Sequence, residues 1–274
     1  MSQVVDTTRT YYDSTDADQF YFHIWGGEDI HIGLYEEGET DTRAASRRTV
    51  KAMADQLSHL PAGSRILDIG SGYGGSGRYL IKEHGFEVTS LNLSEVQNER
   101  NRAANVKEGV ADKHEVVAGN FEEIPFADET FDAVWSQDAI LHSGDRFRVF
   151  QEVDRVLKPG GGFIFTDPMQ KHNADPEALA PVLQRIHLAS MGSFETYDEY
   201  RNKLGWEEVS VDDLTPQLVQ HYTAVRANLK ERRGTLAGEV SEAYIDNMIQ
   251  GLSHWIVAGG ARLLAWGILH YRKA

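Results

Sequence analysis

A chain of 274 residues, 41% hydrophobic and 25% charged, is typical of a globular protein with one or two domains. It has no cysteine, which excludes disulfides and thiolate chemistry, and no apolar run approaches the roughly 20 residues that a membrane span needs. The 42 acidic and 27 basic residues leave a net charge of -15, which disfavours nucleic acid as a partner because phosphate binding depends on Lys and Arg.

The middle of the chain alternates short apolar stretches with helical patterns. Strands are predicted at 65–69, 86–93, 114–118, 131–136 and 162–167. Helices are predicted at 78–84, at 145–157 and from the cap residue Ser94 to Glu108, where Gln97 would complete a capping box. This alternation predicts an α/β fold with a doubly wound parallel sheet that binds ligands at the carboxyl ends of its strands.

The flanking regions, 1–60 and 170–260, have mostly helical patterns. A sixth strand is predicted at 206–211, residues 262–271 could close the sheet, and the glycines at 160–162 predict a tight turn. We therefore predict three parts: an N-terminal helical cap (1–61), a ligand-binding core (62–170) and a helical lid that carries the remaining strands (171–274).

A glycine-rich turn follows the first predicted strand. Gly70, Gly72 and Gly75 allow close approach of a ligand to the backbone, and they also match the dinucleotide fingerprint G-x-G-x-x-G. Asp68 precedes the glycines, and its carboxylate would repel a pyrophosphate but suits an ammonium group. S-adenosylmethionine (SAM) carries such a group, so SAM is favoured over the NAD of an oxidoreductase. A catalytically silent SAM-binding module and a turn that binds nothing are the other interpretations.

Polar residues end the next two strands. Asn92 follows Gly70 at about the 20-residue spacing of a ribose-binding carboxylate, and an amide can also hydrogen-bond a ribose hydroxyl. Asn120 and Phe121 follow the third strand, where we expect them to contact the edge and the face of an adenine ring. The alternative for Phe121 is core packing.

Four segments together resemble class I SAM-dependent methyltransferases. They are LDIGSGYGG (67–75), the polar Asn92, GNFEEIPFADETFDAVWS (119–136) and RVLKPGGGFIFTD (155–167). The resemblance covers about residues 62–170 and implies a Rossmann-like sheet with a helical lid, SAM as the donor and S-adenosylhomocysteine as the product. Many members of that family carry acidic residues where this chain has Asn92 and Asn120.

A second resemblance spans nearly the whole chain. The segments 21–35 (YFHIWGGEDIHIGLY), 136–143 (SQDAILHS), 166–169 (TDPM), 218–229 (LVQHYTAVRANL) and 252–267 (LSHWIVAGGARLLAWG) look like sarcosine/dimethylglycine N-methyltransferases. It implies methylation of sarcosine to N,N-dimethylglycine and of dimethylglycine to glycine betaine, an osmoprotectant. The first two segments are also similar to phosphoethanolamine N-methyltransferases, so a phosphobase or another small amine is the alternative acceptor.

The resemblance also implies roles for individual residues. The catalytic set is Tyr12, Asp138 and His142, with His142 held by Asp138 one helical turn earlier and accepting a proton. The alternative is that His142 only hydrogen-bonds the cofactor or the backbone. Tyr12, Ile30 and His31 would lie near the sulfonium. The expected cofactor residues are Ile30, His31, Asp68, Gly70, Ser71, Gly72, Asn92, Leu93, Gln97, Asn120, Phe121 and Gln137.

The acceptor pocket is less sharply defined. Aromatic rings attract methylated ammonium groups, and the candidates are Tyr12, Tyr21, Trp25, Tyr222 and Trp255. Pro168 and Met169 are expected to shape the pocket. A substrate carboxylate needs donors, for which the candidates are Arg43, His221, Arg226 and Arg262.

Charge and termini suggest the setting. The acidic excess fits either a protein that works in concentrated salt or an ordinary acidic enzyme. The first 20 residues do not resemble a secretory signal, so we expect a cytoplasmic protein. We also expect a monomer or homodimer whose partner is a small-molecule amine. No metal site is predicted, because the pairs His23 with His31 and Asp138 with His142 have no further ligands at suitable spacing.

Overall fold

The computed structural model describes Thr10, residues 12–186 and residues 188–274. Seven strands form its central sheet: β1 (Arg65–Ile69), β2 (Glu87–Asn92), β3 (His114–Ala118), β4 (Phe131–Gln137), β5 (Leu157–Thr166), β6 (Glu207–Asp213) and β7 (Gly267–Arg272). Their order is β3–β2–β1–β4–β5–β7–β6. The first five run parallel, which confirms the doubly wound sheet, whereas β7 inserts antiparallel between β5 and β6.

Helices cover both faces of the sheet, so β1, β2 and β4 are buried almost throughout. The helices are α1 (Thr15–Phe20), α2 (Thr42–Gln56), α3 (Gly75–His84), α4 (Glu95–Glu108), α5 (Arg146–Val156), α6 (Pro176–Arg185), α7 (Phe194–Leu204), α8 (Thr215–Arg232) and α9 (Glu242–Gly260). Single turns cover Tyr21–Trp25, Ile140–His142 and Arg233–Leu236.

Local signals explain where the helices begin. Ser94 caps α4 by accepting the Gln97 backbone N–H at 3.2 Å, as predicted. The capping box is wrong, because Gln97 Oε1 accepts from Asn92 Nδ2 instead. Asp145 is the cap of α5 and lies outside the helix, and α3 begins at Gly75, three residues before the predicted start.

The prediction for β5 needs a second correction. This strand begins at Leu157 and carries a bulge between Leu157, which pairs with Phe131, and Gly162, which pairs with Ala133. Gly160 adopts a φ of 77° within the bulge, so the predicted glycine turn is an irregularity inside the strand.

Near the C-terminus, only Gly267–Arg272 joins the central sheet. Residues Leu264–Ala265 form a separate short pair with Met169–Gln170.

Beside the hydrophobic clusters that pack against the central sheet, a separate hydrophobic core joins the N-terminal segment to α6, α8 and α9. Phe20, Leu179, Leu218 and Leu252 are among its buried members, and Leu141 from the turn after β4 packs into it. This helical layer therefore covers the end of the sheet at which the parallel strands finish. The part boundaries at 61 and 170 stay predictions. In the described ranges, no helix is both long and apolar enough to cross a bilayer.

Candidate active site

Two cavities meet at the carboxyl ends of the parallel strands. The smaller lies among the loops that follow β1 to β4, and its lining includes Gly70, Gly72, Asn92, Leu93, Gln97, Asn120, Phe121 and Gln137. The larger, of about 780 Å³, lies among the N-terminal segment, α6, α8 and α9, and its lining includes Tyr21, Trp25, Pro168, Arg185, Tyr222, Tyr244, Met248 and Trp255. Both cavities are lined by Tyr12, Ile30, Asp138 and His142.

The glycine loop forms the floor of the smaller cavity. Gly70 and Gly72 have φ values of 74° and 53°, which side chains rarely adopt. A Cβ at Gly70 would lie 2.3 Å from Ala139 Cβ, and one at Gly72 would lie 3.2 Å from Ile30 Cδ1. Helix α3 then begins at Gly75 without a side-chain hydrogen bond at its cap, and the Asp29 carboxylate lies beside it, since a Cβ at Gly75 would be 2.2 Å from Asp29 Oδ1.

Asp68 is buried at the end of β1, beside this loop. Its Oδ2 has no hydrogen-bond partner in the described part of the chain, and the same holds for Ser71 Oγ. Burial, together with the nearby Asp29 carboxylate, raises the pKa of Asp68 to about 8. A cation would stabilise the ionised form of this desolvated carboxyl group, so the loop fits the ammonium group of a ligand.

Asn92 is oriented by its neighbours at the start of α4. Its Nδ2 donates to Gln97 Oε1 at 3.0 Å and to the Ser94 carbonyl at 3.4 Å. With both amide hydrogens used, the side-chain oxygen of Asn92 is the atom left to accept a bond from a ribose hydroxyl.

Asn120 and Gln137 are also held in defined orientations. Asn120 Oδ1 accepts from the Glu122 backbone N–H at 3.0 Å, so its amide group can donate to a ligand. Gln137 Oε1 accepts from Trp135 Nε1 at 3.0 Å, whereas Gln137 Nε2 is buried without a partner among the described residues. The smaller cavity thus presents amide donors near the ring of Phe121.

His31 lies behind the cavities. Its ring is buried, and neither ring nitrogen has a hydrogen-bond partner in the described ranges; Asp29 Oδ1 lies 3.9 Å from its Nε2. The adjacent Ile30 reaches both cavities. A contact of His31 with the sulfonium end stays a prediction.

Tyr12 and His142 form a pair where the cavities meet. Tyr12 Oη lies 3.1 Å from His142 Nε2, with the two rings edge to face. Burial, and to a lesser degree Arg146, lowers the pKa of His142 to about 4. The ring is therefore neutral at pH 7 and can accept the hydrogen of the Tyr12 hydroxyl.

The predicted contact between Asp138 and His142 is wrong. Asp138 has a φ of 51°, and its carboxylate accepts bonds from the Ile32 backbone N–H (2.6 Å), Thr166 Oγ1 (2.8 Å) and Trp266 Nε1 (2.8 Å). This backbone conformation directs the side chain toward three other segments, so Asp138 ties them together at the cavity junction while Tyr12 contacts His142.

An unbroken series of aromatic contacts lines the larger cavity. Tyr12, Tyr21, Trp25 and Tyr222 follow one another with ring centroids 5.2 to 5.7 Å apart. Tyr222 then stacks on Trp255 at 4.9 Å. All five predicted aromatic candidates therefore come together in one wall.

Two predicted acceptor residues do not reach this cavity. Met169 is fully buried in the short pair with Ala265, while its neighbour Pro168 does line the cavity. His221 is also fully buried, and its Nδ1 accepts the Gly33 N–H at 3.2 Å. The strand pairing and this hydrogen bond hold both side chains in the core.

Arg185 lines the larger cavity but is not among the carboxylate donors predicted from the sequence. Within the described ranges, Arg185 is the only Lys or Arg that lines the larger cavity, and the predicted Arg43, Arg226 and Arg262 do not line it. Arg226 instead donates to Ser253 Oγ at 3.0 Å. An arginine that ends an amphipathic helix has no local signature, so only the packing of α6 against α9 shows its position.

The sheet, the glycine loop with its buried Asp68 and the paired cavities define a class I SAM-dependent methyltransferase. Residues 67–165 match the model of a family described as a methyltransferase domain. Sarcosine/dimethylglycine N-methyltransferases of Aphanothece halophytica and Halorhodospira halochloris are 51% and 50% identical to this chain. The first match covers 98% of each protein, and the second covers 99% of this chain and 97% of the relative.

A solved structure from Galdieria sulphuraria, named as a candidate sarcosine dimethylglycine methyltransferase, has a TM-score of 0.91 at 43% identity. The match covers 96% of this chain and 99% of the other. The chain belongs to the family of sarcosine/dimethylglycine N-methyltransferases. SAM is its cofactor, which confirms the prediction from the glycine loop.

Proposed function

We propose that the protein transfers methyl groups from SAM to the nitrogen of sarcosine and of N,N-dimethylglycine and so forms glycine betaine. The observation that carries this proposal is the described lining of the larger cavity. It combines an aromatic wall, the guanidinium of Arg185 and, where the two cavities meet, the polar pair of Tyr12 and His142. A small zwitterion has a nitrogen and a carboxylate that match these features. We also propose that the enzyme is cytoplasmic and acts as a monomer or homodimer.

The aromatic wall supports a methylated ammonium as ligand. Each further methyl group makes the nitrogen of the acceptor more apolar and, in betaine, permanently charged. Such a cation is attracted to aromatic faces by about 0.5 to 2 kcal/mol per favourable contact. The wall from Tyr12 to Trp255 can therefore hold the nitrogen end of each successive substrate.

Arg185 supports a carboxylate at the other end of the acceptor. Its half-buried guanidinium contacts Met248 Sδ through Nη2 at 2.7 Å and pairs with no acidic side chain among the described residues. It lies across Gly251 of α9, where a Cβ would be 2.0 Å from Arg185 Nε. A guanidinium matches a carboxylate in a charged, bidentate hydrogen bond, so Arg185 would fix the orientation of the acceptor.

The chemistry needs positioning more than a strong base. SAM supplies a methyl group already activated by its sulfonium. Holding the acceptor nitrogen in line with that carbon can contribute about 7 to 11 kcal/mol. Presenting an amine of pKa near 10 as the neutral form at pH 7 costs about 4 kcal/mol, at 1.36 kcal/mol per unit, which is less than the positioning gain.

Tyr12 and His142 contribute to this positioning. In this proposal, neutral His142 carries its hydrogen on Nδ1 and accepts the Tyr12 hydroxyl at Nε2, which turns the lone pairs of Tyr12 Oη toward the acceptor. They can accept a hydrogen bond from an N–H of sarcosine or stabilise the positive charge that develops on the nitrogen. Asp138 keeps the strand ends at the junction fixed.

A phosphobase acceptor is less well matched. A phosphate dianion favours several cations, and Arg185 is alone in the described lining. Lys171 lies next to Asp213, and Arg201 pairs with Asp198, both at other places in the structure.

Mass spectrometry of reaction products tests the proposal directly. The protein is incubated with SAM and, separately, with glycine, sarcosine, dimethylglycine or phosphoethanolamine. We expect dimethylglycine and betaine from sarcosine, and betaine from dimethylglycine. Methylation of phosphoethanolamine in preference to both amino acids would contradict the proposal. The glycine arm measures whether the pocket distinguishes acceptors by one methyl group, a difference of only about 1 to 3 kcal/mol.

A further inference from the structure

A buried carboxyl group holds the turn Ile140–His142 from behind. Asp167 follows β5 and is fully buried. Its Oδ1 accepts the Leu141 backbone N–H at 2.9 Å, and its Oδ2 accepts the Tyr197 hydroxyl at 2.5 Å. Leu141 directly precedes His142, so Asp167 fixes the backbone that carries the His142 ring.

The backbone carbonyl of Leu141 is also bound by a side chain. Arg146, at the start of α5, donates through Nη2 to the Leu141 carbonyl at 3.1 Å. Both backbone polar groups of Leu141 are therefore bound by side chains from two other segments. Arg146 is the cation that faces Asp167, while Asp138 and the Tyr222 hydroxyl face it from the cavity side.

Two neighbours, Phe150 and Gly192, allow the Tyr197 hydroxyl to reach Asp167. The ring comes from α7 and stacks on Phe150 with centroids 5.5 Å apart and planes 10° apart. Its hydroxyl passes Gly192, where a Cβ would lie only 2.4 Å from Tyr197 Oη. A larger residue at position 192 would displace the hydroxyl from the carboxylate.

We propose that Asp167, Arg146 and Tyr197 form a positioning clamp that keeps His142 aligned with Tyr12 and so sets the rate of methyl transfer. The three side chains are absent from the described lining of both cavities, so they act through the turn. This matters because a misplacement of about 1 Å at a reacting group can cost on the order of 100-fold in rate. The inference rests on the proposed role of His142.

Tyr197→Phe is the first test, because it removes one hydroxyl and keeps the ring. We expect kcat to fall about tenfold, since the turn loses part of its support, with KM for the acceptor and Kd for SAM within about twofold of wild type. Tyr200→Phe is the matched control, since Tyr200 lies one turn later on α7 and also packs against Phe150. It should leave all three constants unchanged.

The Asp167 variants separate shape from hydrogen bonding. Asp167→Asn keeps an oxygen for the Leu141 N–H, so it should retain more activity than Asp167→Ala. Equal kcat values for the two variants would count against the clamp.

A double-mutant cycle shows whether the clamp acts through the His142 ring. In a His142→Ala background, adding Tyr197→Phe should lower kcat by less than twofold, because no ring is left to align. The same tenfold fall in both backgrounds, or equal kcat for Tyr197→Phe and Tyr200→Phe, would overturn the proposal.

Hydrogen exchange gives a readout without turnover. The Leu141 amide should exchange at least tenfold faster in Tyr197→Phe, with the amides of β4 unchanged. Unchanged exchange at Leu141 would also overturn the clamp. This experiment needs no acceptor, so failure of the wild-type protein to methylate sarcosine would refute the proposed function while leaving the clamp to be judged by exchange.

Discussion

At the scale of single residues, Asp68 links cofactor binding to pH. Burial raises its pKa to about 8, so it is mostly protonated at pH 7 in the unliganded protein. An adjacent ammonium favours the ionised form, so binding of SAM should release this proton. The affinity for SAM should therefore rise by up to about tenfold per unit from pH 6 toward pH 8, and fall again above it as the ammonium group of SAM loses its own proton. Isothermal titration in two buffers of different ionisation enthalpy measures the proton released.

Asp68→Asn is the variant that checks this assignment. It should bind SAM more weakly and with little pH dependence. Because the folded pKa lies above the unfolded value of 3.8, ionisation of Asp68 destabilises the fold as pH rises from about 4 to 8. The variant should therefore melt at a higher temperature than wild type at pH 8 and at an equal temperature at pH 4. An affinity for SAM that is independent of pH in wild type would contradict the argument.

Arg185 is expected to select acceptors that carry a carboxylate. Loss of one partner from a buried charged pair costs about 2 to 5 kcal/mol, so Arg185→Ala should lower kcat/KM for dimethylglycine about 100-fold or more. Kinetics with dimethylaminoethanol, which lacks the carboxylate, should be nearly unchanged. The preference for dimethylglycine over this alcohol would then disappear.

Arg226→Ala provides the comparison for Arg185. Arg226 is likewise a partly buried arginine of the helical layer, but it bonds Ser253 and is absent from the described lining of the cavity. Its kcat/KM for dimethylglycine should stay close to wild type. If the two variants lost activity equally, general destabilisation of the layer would explain the effect.

At the scale of elements, two glycine substitutions distinguish the effect of backbone strain from the effect of a changed ligand contact in the glycine loop. Gly72→Ala introduces a Cβ at a φ of 53° and 3.2 Å from Ile30 Cδ1. The strain of a positive φ costs roughly 1 to 2 kcal/mol, and the contact pushes on a residue that lines both cavities. We expect Kd for SAM to increase about tenfold or more, measured by titration.

Gly109→Ala is the control, because it introduces the backbone strain of a positive φ without a steric contact. Gly109 caps α4 with a φ of 70°, and a Cβ added there would have no neighbouring atom of the described residues within 4 Å. This variant should lose a similar amount of stability and bind SAM as wild type does. Equal weakening of SAM binding in both variants would show that the loop contributes only through overall stability.

The elements were predictable where the signal is local. Apolar runs and the glycine turn located the parallel strands, and the Ser94 cap located α4. The antiparallel insertion of β7 between β5 and β6 could not be predicted, because the order of strands depends on how distant segments pack. The bulge in β5 was hidden for a related reason, since three consecutive glycines fit a turn equally well.

In the site too, features with a local sequence signal were predictable, and features that depend on contacts between distant segments were not. Residues beside the glycine loop and after β2 to β4 were predictable, because the carboxyl ends of parallel strands meet at one edge. The partners of Asp138 were not, since they come from positions 32, 166 and 266. Arg185 was missed and Met169 was misplaced because each depends on helix and strand contacts far apart in the chain.

At the scale of the whole molecule, the net charge of -15 sets the response to salt. Like charges repel across the surface of the folded protein, and salt shortens their range from about 10 Å at 0.1 M to about 3 Å at 1 M. The surface ion pairs are also screened, but exposed pairs contribute only about 0 to 1 kcal/mol each. A zwitterionic acceptor has no net charge, so salt should change stability much more than KM for dimethylglycine.

We therefore expect the melting temperature at pH 7.5 to rise by several degrees between about 0.05 and 1 M NaCl and to change little beyond that, as the repulsion becomes screened. The same series near the sequence pI of 5.1 is the control, because the net charge is then close to zero. There, salt should leave the melting temperature unchanged or lower it slightly, since attraction between opposite charges then outweighs repulsion between like charges. A flat response at pH 7.5 would show that self-repulsion contributes little to the stability of this acidic chain.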